Sequence, residues 1–293
     1  MPSLFPDAPI QLPAYQSLLV VGKYHASAPI HLAVSYATEN PETRPLVLSP
    51  SRSMLKDALR AINDDWITSK SRRGNMLDAV SRVQMLYPPT PVHLSLLLSM
   101  LRTSQGQEEQ EEAEPIWTNP KICRTFPPGL IVLHEPSLYF ADAEDELSTH
   151  TVSSYLNLVS RSFASIQSLT IEGSTRLPSV VLFDSQLLNL QLPITKAPSD
   201  TYQYLPRRDR QFEPVFGLVE KFFEWVALFE LAEDEDTIPS SQGEDDEVEA
   251  LHQPGKQMKL YRVKSPKEVQ LFRWEEVISS SAEDAVPVTR FVF

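Results

Sequence analysis

Ser17-Leu18-Leu19-Val20-Val21-Gly22 is a continuous apolar run closed by glycine, and a helical pattern follows from Pro29 to Thr38 with Ile30, Ala33, Val34 and Ala37 on one face. A strand without polar alternation is covered on both faces, so this pair predicts the opening unit of a parallel α/β sheet. The pattern recurs downstream. Pro45 to Leu48 reads as a second buried strand, and Ser53 as the cap of a helix reaching Trp66, with Leu55, Leu59 and Ile62 at helical spacing. Val83 to Leu86 is a short strand closed by Tyr87-Pro88-Pro89, where two prolines forbid further ladder bonds, and His93 to Arg102 is an apolar helix. Gly129 to Glu135 is the clearest buried strand. Thr149 to Leu169 reads as a long helix burying Val152, Leu156, Val159, Phe163 and Ile166, and Ser179 to Asp184 as a further buried strand. Phe222 to Leu231, Lys259 to Val263 and Val269 to Trp274 read as strands, the last two joined by a turn. The predicted fold class is α/β: a three-layer αβα core with a mainly parallel sheet and antiparallel C-terminal strands.

The predicted organisation is a tail at 1–16, a core at 17–275 interrupted by acidic loops at 104–114 and 232–254, and a tail at 276–293. The 293-residue chain carries a net charge of −13. Glu108 to Glu114 and Glu233 to Glu249 account for all of that excess, and setting them aside leaves the remainder close to neutral. The acidic balance therefore describes two loops, and it does not exclude a nucleic-acid partner. One cysteine, Cys123, cannot pair within the chain, which fits a reducing compartment. The first fifteen residues hold four prolines and no base, so they do not read as a secretory signal, and no apolar run is long enough to cross a bilayer. The expectation is a soluble intracellular protein without a membrane partner.

Glycine is scarce, 8 residues against 25 prolines, and the closest two, Gly243 and Gly255, are twelve apart. A phosphate loop or dinucleotide fingerprint needs closely spaced glycines, so neither is present. The first strand-to-helix turn is Gly22-Lys23-Tyr24-His25-Ala26-Ser27-Ala28-Pro29. The slots for a phosphate-binding lysine and a magnesium-binding hydroxyl hold Ala28 and Pro29, and proline also lacks the N–H. At the next candidate strand end His134 stands where a metal-holding aspartate would be needed, and imidazole is a poor magnesium ligand. Glu135 beside it reads as a solvent-facing carboxylate. His25 and His31, six apart with no cysteine near, lack metal-ligand spacing. No nucleophile elbow is present, so no catalytic residue, metal or cofactor is expected. Lys196, Arg207, Arg208 and Arg210, interleaved with Tyr202 and Tyr204, form the one constellation with ligand chemistry: guanidinium groups neutralise phosphates and tyrosine rings stack on unpaired bases. Their segment is either a solvated loop or a single-strand contact.

The order of elements resembles the RecA-type recombinase core, closest to the small RecA-like paralogues that partner a SWIM-domain protein in the Shu complex. Leu18 to Gly22, Arg82 to Pro89 with the apolar helix after it, and Leu130 to Glu135 with Leu138 and Tyr139 carry the likeness, over roughly residues 17 to 274. Phe183-Asp184-Ser185-Gln186 is similar to the strand end where RecA-type proteins carry a nucleotide-sensing glutamine before their second DNA loop. The resemblance implies a non-catalytic subunit promoting recombinase function on single-stranded DNA in homologous recombination repair, in the nucleus. Its implied partners are a SWIM-domain zinc protein, a recombinase filament and single-stranded DNA. Gly22, His134, Glu135 and Gln186 become vestigial nucleotide-site positions, and Lys196, Arg207, Arg208 and Arg210 fall on the second DNA-contacting loop. RecA-type subunits also lend a Phe-x-x-Ala segment to a neighbour, a pattern matched by Phe5 to Ala8. The exposed apolar end Phe291-Val292-Phe293 either docks on a partner or folds back. The alternative with the same fold is a RecA-like subunit of the Elongator complex, acting in tRNA modification.

Overall fold

The computed structural model describes residues 2–6, 10–70, 73–103, 123–124, 128–144, 150–169, 178–195, 211–232, 255–279 and 288–293. Both predicted acidic loops, apart from Ala232, and the whole of Lys196 to Arg210 lie outside them, as does Ala8.

β1 (Ser17–Gly22) leads into α1 (Ala28–Glu39), β2 (Leu46–Leu48) into α2 (Arg52–Ile62), α3 (Asp65–Lys70) and α4 (Gly74–Arg82), and β3 (Gln84–Leu86) into α5 (Pro91–Met100). Two-residue strands β4 (Arg102–Thr103) and β5 (Cys123–Arg124) pair with each other. β6 (Leu130–His134) and a 3-10 segment precede α6 (Val152–Ser168), and β7 (Ser179–Asp184) follows. A small hairpin of β8 (Gln191–Pro193) and β9 (Phe212–Pro214) leads to α7 (Phe216–Val219). The chain finishes with β10 (Trp225–Leu231), β11 (Lys256–Arg262), β12 (Ser265–Ser279) and β13 (Val288–Val292).

Nine strands form one sheet in the order β13-β12-β11-β10-β1-β7-β6-β2-β3. The neighbours from β10 to β3 pair in parallel, and β10 to β13 pair antiparallel. This is the expected architecture, and the alternation of side chains along β1 shows why every residue there had to be apolar or small. Leu19 and Val21 enter a cluster with Leu94 and Leu98 of α5 and Tyr155, Leu158 and Val159 of α6. Leu18 and Val20 enter another, with Leu32, Ala33 and Tyr36 of α1. Helices thus cover both faces, and the parallel strands have no wet side.

Local chemistry sets the boundaries. Ser51, rather than the predicted Ser53, caps α2 by accepting from Met54 N at 3.3 Å. The helix predicted to run through Trp66 breaks at Asn63, a left-handed residue (φ 43°) that serves as C-cap, and α3 begins afresh at Asp65. Thr151 caps α6 in a reciprocal box with Ser154.

Both ends of the chain are built into the body. Leu4, Phe5, Ile10 and Leu12 are buried in the α1-side cluster together with Met258, Leu260 and Trp274. β13 pairs with the far half of β12, which places Phe291 against Phe5 and His25 with ring centroids at 5.7 and 4.5 Å. The outer edge of β13 is occupied in turn: Thr289 N donates to Asn63 O at 3.2 Å, and Arg290 Nε to Asp65 Oδ2 at 2.8 Å. Val292 and Phe293 remain about half exposed.

Candidate functional site

The carboxyl ends of β1, β6 and β7 lie side by side, the place where open α/β sheets bind ligands. Two clusters of polar side chains converge there, and both are turned inward.

The first closes the β1-to-α1 junction. Gly22 has φ +89°, and a Cβ on it would lie 2.1 Å from the carbonyl oxygen of Phe229, so only glycine lets the chain leave β1 against β10. The turn then buries His25 and Ser27. An anion at a helix N-terminus needs free backbone N–H groups. None is offered in the first turn of α1: Ala28 N donates to His25 O, Ile30 N and His31 N to Ser27 O, and Pro29 has no N–H. Over that turn sits a carboxylate of the protein itself. Asp64, 2% exposed, accepts from Ser27 Oγ at 2.6 Å and from His31 Nε2 at 2.6 Å, while Trp66 N donates to its other oxygen at 2.9 Å. Because Ser27 spends its proton on Asp64, its oxygen is the acceptor for His25 Nδ1 at 3.0 Å. The arrangement leaves His25 Nε2 and His31 Nδ1 as buried nitrogens without a hydrogen-bond partner.

The electrostatics follow the burial. Desolvation, then the neighbouring His31, holds His25 well below the usual histidine range, so it is neutral. Burial pushes the Asp64 carboxyl up, but His31 and the hydroxyl of Ser27 outweigh it and leave its pKa below the ordinary value. Phe5 seals the outside: its ring lies against those of His25, Trp274, Phe291 and Phe293 at 4.8, 4.9, 5.7 and 5.1 Å. In this conformation Phe5 serves its own core and is not displayed to a neighbour.

The second cluster joins β6 to β7. Glu135 takes a left-handed backbone (φ 51°) directly after the strand, which turns its side chain across to β7. Contrary to the solvent-facing reading, it is buried. Its carboxyl accepts from Ser185 N at 3.1 Å, from Ser185 Oγ at 3.0 Å and from the Tyr24 hydroxyl. Asp184, fully buried, accepts from Ser137 N at 3.0 Å, Tyr155 OH at 2.7 Å and Gln186 N at 3.1 Å. Burial first, then the charge of Asp184, pushes Glu135 up to about 7, and burial likewise raises Asp184. Two carboxyls this close do not both ionise readily, so the pair keeps a proton near neutrality. Both oxygens of Glu135 are thus engaged within the protein. His134 is buried against Ser49 Oγ at 3.0 Å, and desolvation lowers its pKa to about 4. The side chain of Gln186 is exposed and its backbone N–H serves Asp184.

The four positions named as vestigial thus lie together at the carboxyl ends of three adjacent central strands. Sequence reasoning missed Asp64, Asp184 and Tyr155; the one local sign of the first is the Asn63-Asp64-Asp65 break between helices. Among the described residues no group of three or more His, Cys, Asp and Glu is arranged to hold a metal ion, and no helix is long and apolar enough to cross a membrane.

A crystal structure of the RadB recombinase is similar to this chain at 10% identity and a TM-score of 0.41, over 89% of this chain and 88% of that one. At that distance nothing about nucleotide, DNA or partners passes from one to the other. No protein-family description matches the sequence, and no curated protein does.

Proposed function

We propose that this chain is a non-catalytic RecA-like subunit that acts in homologous recombination, pairing with a SWIM-domain zinc protein in a Shu-type assembly in the nucleus and promoting recombinase function on single-stranded DNA. One observation carries the non-catalytic part: the first-turn donors of α1 are spent within the chain, and a buried carboxylate, Asp64, stands over them. A triphosphate entering there meets negative charge, and the first turn of α1 offers it no free N–H. Support for the assembly comes from the sequence resemblance, in which Arg82 to Pro89 and the leucine-rich helix weigh most. The work of such a subunit is binding. The segment bearing Lys196, Arg207, Arg208 and Arg210 supplies the phosphate contacts, and the β6–β7 network keeps the adjoining strand ends rigid.

Replacing Arg207, Arg208 and Arg210 by alanine weakens single-strand binding and flattens its dependence on salt, since each lost phosphate contact lowers the log–log slope by about 0.7. An unchanged slope removes that segment from the account. Affinity capture of the full chain then tests the assembly: a co-purifying SWIM-domain protein supports it. Recovery of two other RecA-like chains instead overturns it in favour of an Elongator-type hexamer.

A further inference from the structure

Among the described residues, the antiparallel extension has one face without a helical layer. Side chains of β12 alternate, and its even-numbered residues Phe272 and Trp274 turn toward α1 and Phe5. The odd-numbered residues Val269, Leu271, Arg273, Glu275 and Val277 share the other face, and Val269, Leu271 and Val277 are 53%, 47% and 40% exposed. Val292 of β13, opposite Glu275 and so on the same face, is 51% exposed. Apolar side chains thus flank a central Arg273 and Glu275, both exposed, and among the described residues neither enters an ion pair.

The order of these residues is complementary to itself in reverse. A two-fold axis parallel to the sheet, perpendicular to β12 and midway between two stacked copies at the level of Trp274 runs one copy's β12 antiparallel to the other's. Arg273 of each copy then meets Glu275 of its mate, and Leu271 meets Val277. Stacked sheets lie about 10 Å apart, a gap that such side chains fill, and the six steps of strand from Leu271 to Val277 give this seam a length of roughly 20 Å. We infer that the outer face of β12 and β13 is an isologous interface and that its occupant is a second copy of this chain. The charge pattern selects a like copy, since an unrelated helix would have to bring both charges in the matching order.

Sedimentation equilibrium of the full chain tests this, with Arg273→Glu, Glu275→Arg and the double swap; these exposed sites leave folding intact, which circular dichroism checks. The expected results are a dimer for the wild type, weakening by about tenfold or more for each single reversal, and recovery in the double swap. Leu271→Asp gives an independent loss of the dimer. A monomeric wild type, single reversals that leave association unchanged, or a double swap that fails to restore it would each overturn the inference. None of these outcomes depends on DNA or on a SWIM-domain protein.

Discussion

Replacing Asp64 by alanine removes the carboxylate over the first turn of α1, and the cost can be worked from its partners. Ser27 Oγ, His31 Nε2 and Trp66 N all lose their acceptor, and the first two are buried with no solvent to replace it. Hydrogen bonds to a charged group contribute about 1.5–3 kcal/mol each, yet neighbours relax, so breaking a buried pair from one side costs about 3–5 kcal/mol. Against a total stability of about 5–15 kcal/mol that is a severe loss. At about 2–4 °C per kcal/mol in a large domain it lowers Tm by roughly 10 °C. The pH dependence has a definite sign. Asp64 titrates below its ordinary 3.8 in the folded chain, so its stabilisation is present above that value and is lost as the pH falls through the folded pKa. Urea unfolding at neutral pH measures the loss, with Asp57→Ala as control; Asp57 meets Arg60 at 3.5 Å with both side chains about two-thirds exposed, and its removal changes stability by less than about 0.5 kcal/mol. A loss for Asp64→Ala no larger than that of the control would refute the sealed-junction reasoning.

Phe5→Ala empties an enclosed site among five aromatic rings and costs about 3–5 kcal/mol by urea unfolding; a loss under about 1 kcal/mol would mean the N-terminal segment is not part of the fold. Glu135, raised to about 7 from 4.5, binds its proton more tightly when folded, so its contribution is complete below pH 4.5 and disappears as the pH rises through about 7. Subtracting the stability profile of Glu135→Gln from that of the wild type isolates this slope from the opposing effect of the buried histidines. For a single proton the slope reaches at most about 1.4 kcal/mol for each pH interval of one. A flat difference profile between pH 4.5 and 7 would show that Glu135 is ionised normally. His134→Phe removes the opposite slope, because a histidine lowered to about 4 loses stability as the pH falls from 6.5 toward 4; variant and wild type with equal acid stability would contradict its burial as a neutral ring.

Much of this architecture is legible in the residues because the parallel strands carry their own signature. Leu18 to Val21, Leu130 to Leu133 and Val180 to Phe183 are apolar on both faces, and only a sheet covered twice asks for that. The antiparallel finish is legible for the same reason of period, but its extent is not. β12 continues through Glu275 and Glu276, and Glu276 breaks the apolar alternation because Lys256 of β11 meets it at 2.7 Å, a pairing no local window contains. α4 escaped because it opens on Gly74 with no side-chain cap from Arg73, so no start signal marks it. The two ends read as tails since their prolines and short apolar stretches form no periodic unit; they fold onto Trp274, His25 and the α2–α3 turn through contacts distant in sequence. The candidate site divides along the same line. The absence of phosphate-gripping residues is local and visible in Gly22 to Pro29, whereas the carboxylate that takes their place comes from a residue thirty-three positions beyond His31.

Isothermal titration calorimetry of the full chain with ATP and magnesium bears most directly on the β1-to-α1 junction. With its donors spent and Asp64 in place, titration yields no heat beyond dilution, and Tm is the same with and without nucleotide. Saturable, magnesium-dependent binding with a matching rise in Tm, about 2.7 kcal/mol of added stability at a hundredfold excess over Kd, would contradict it.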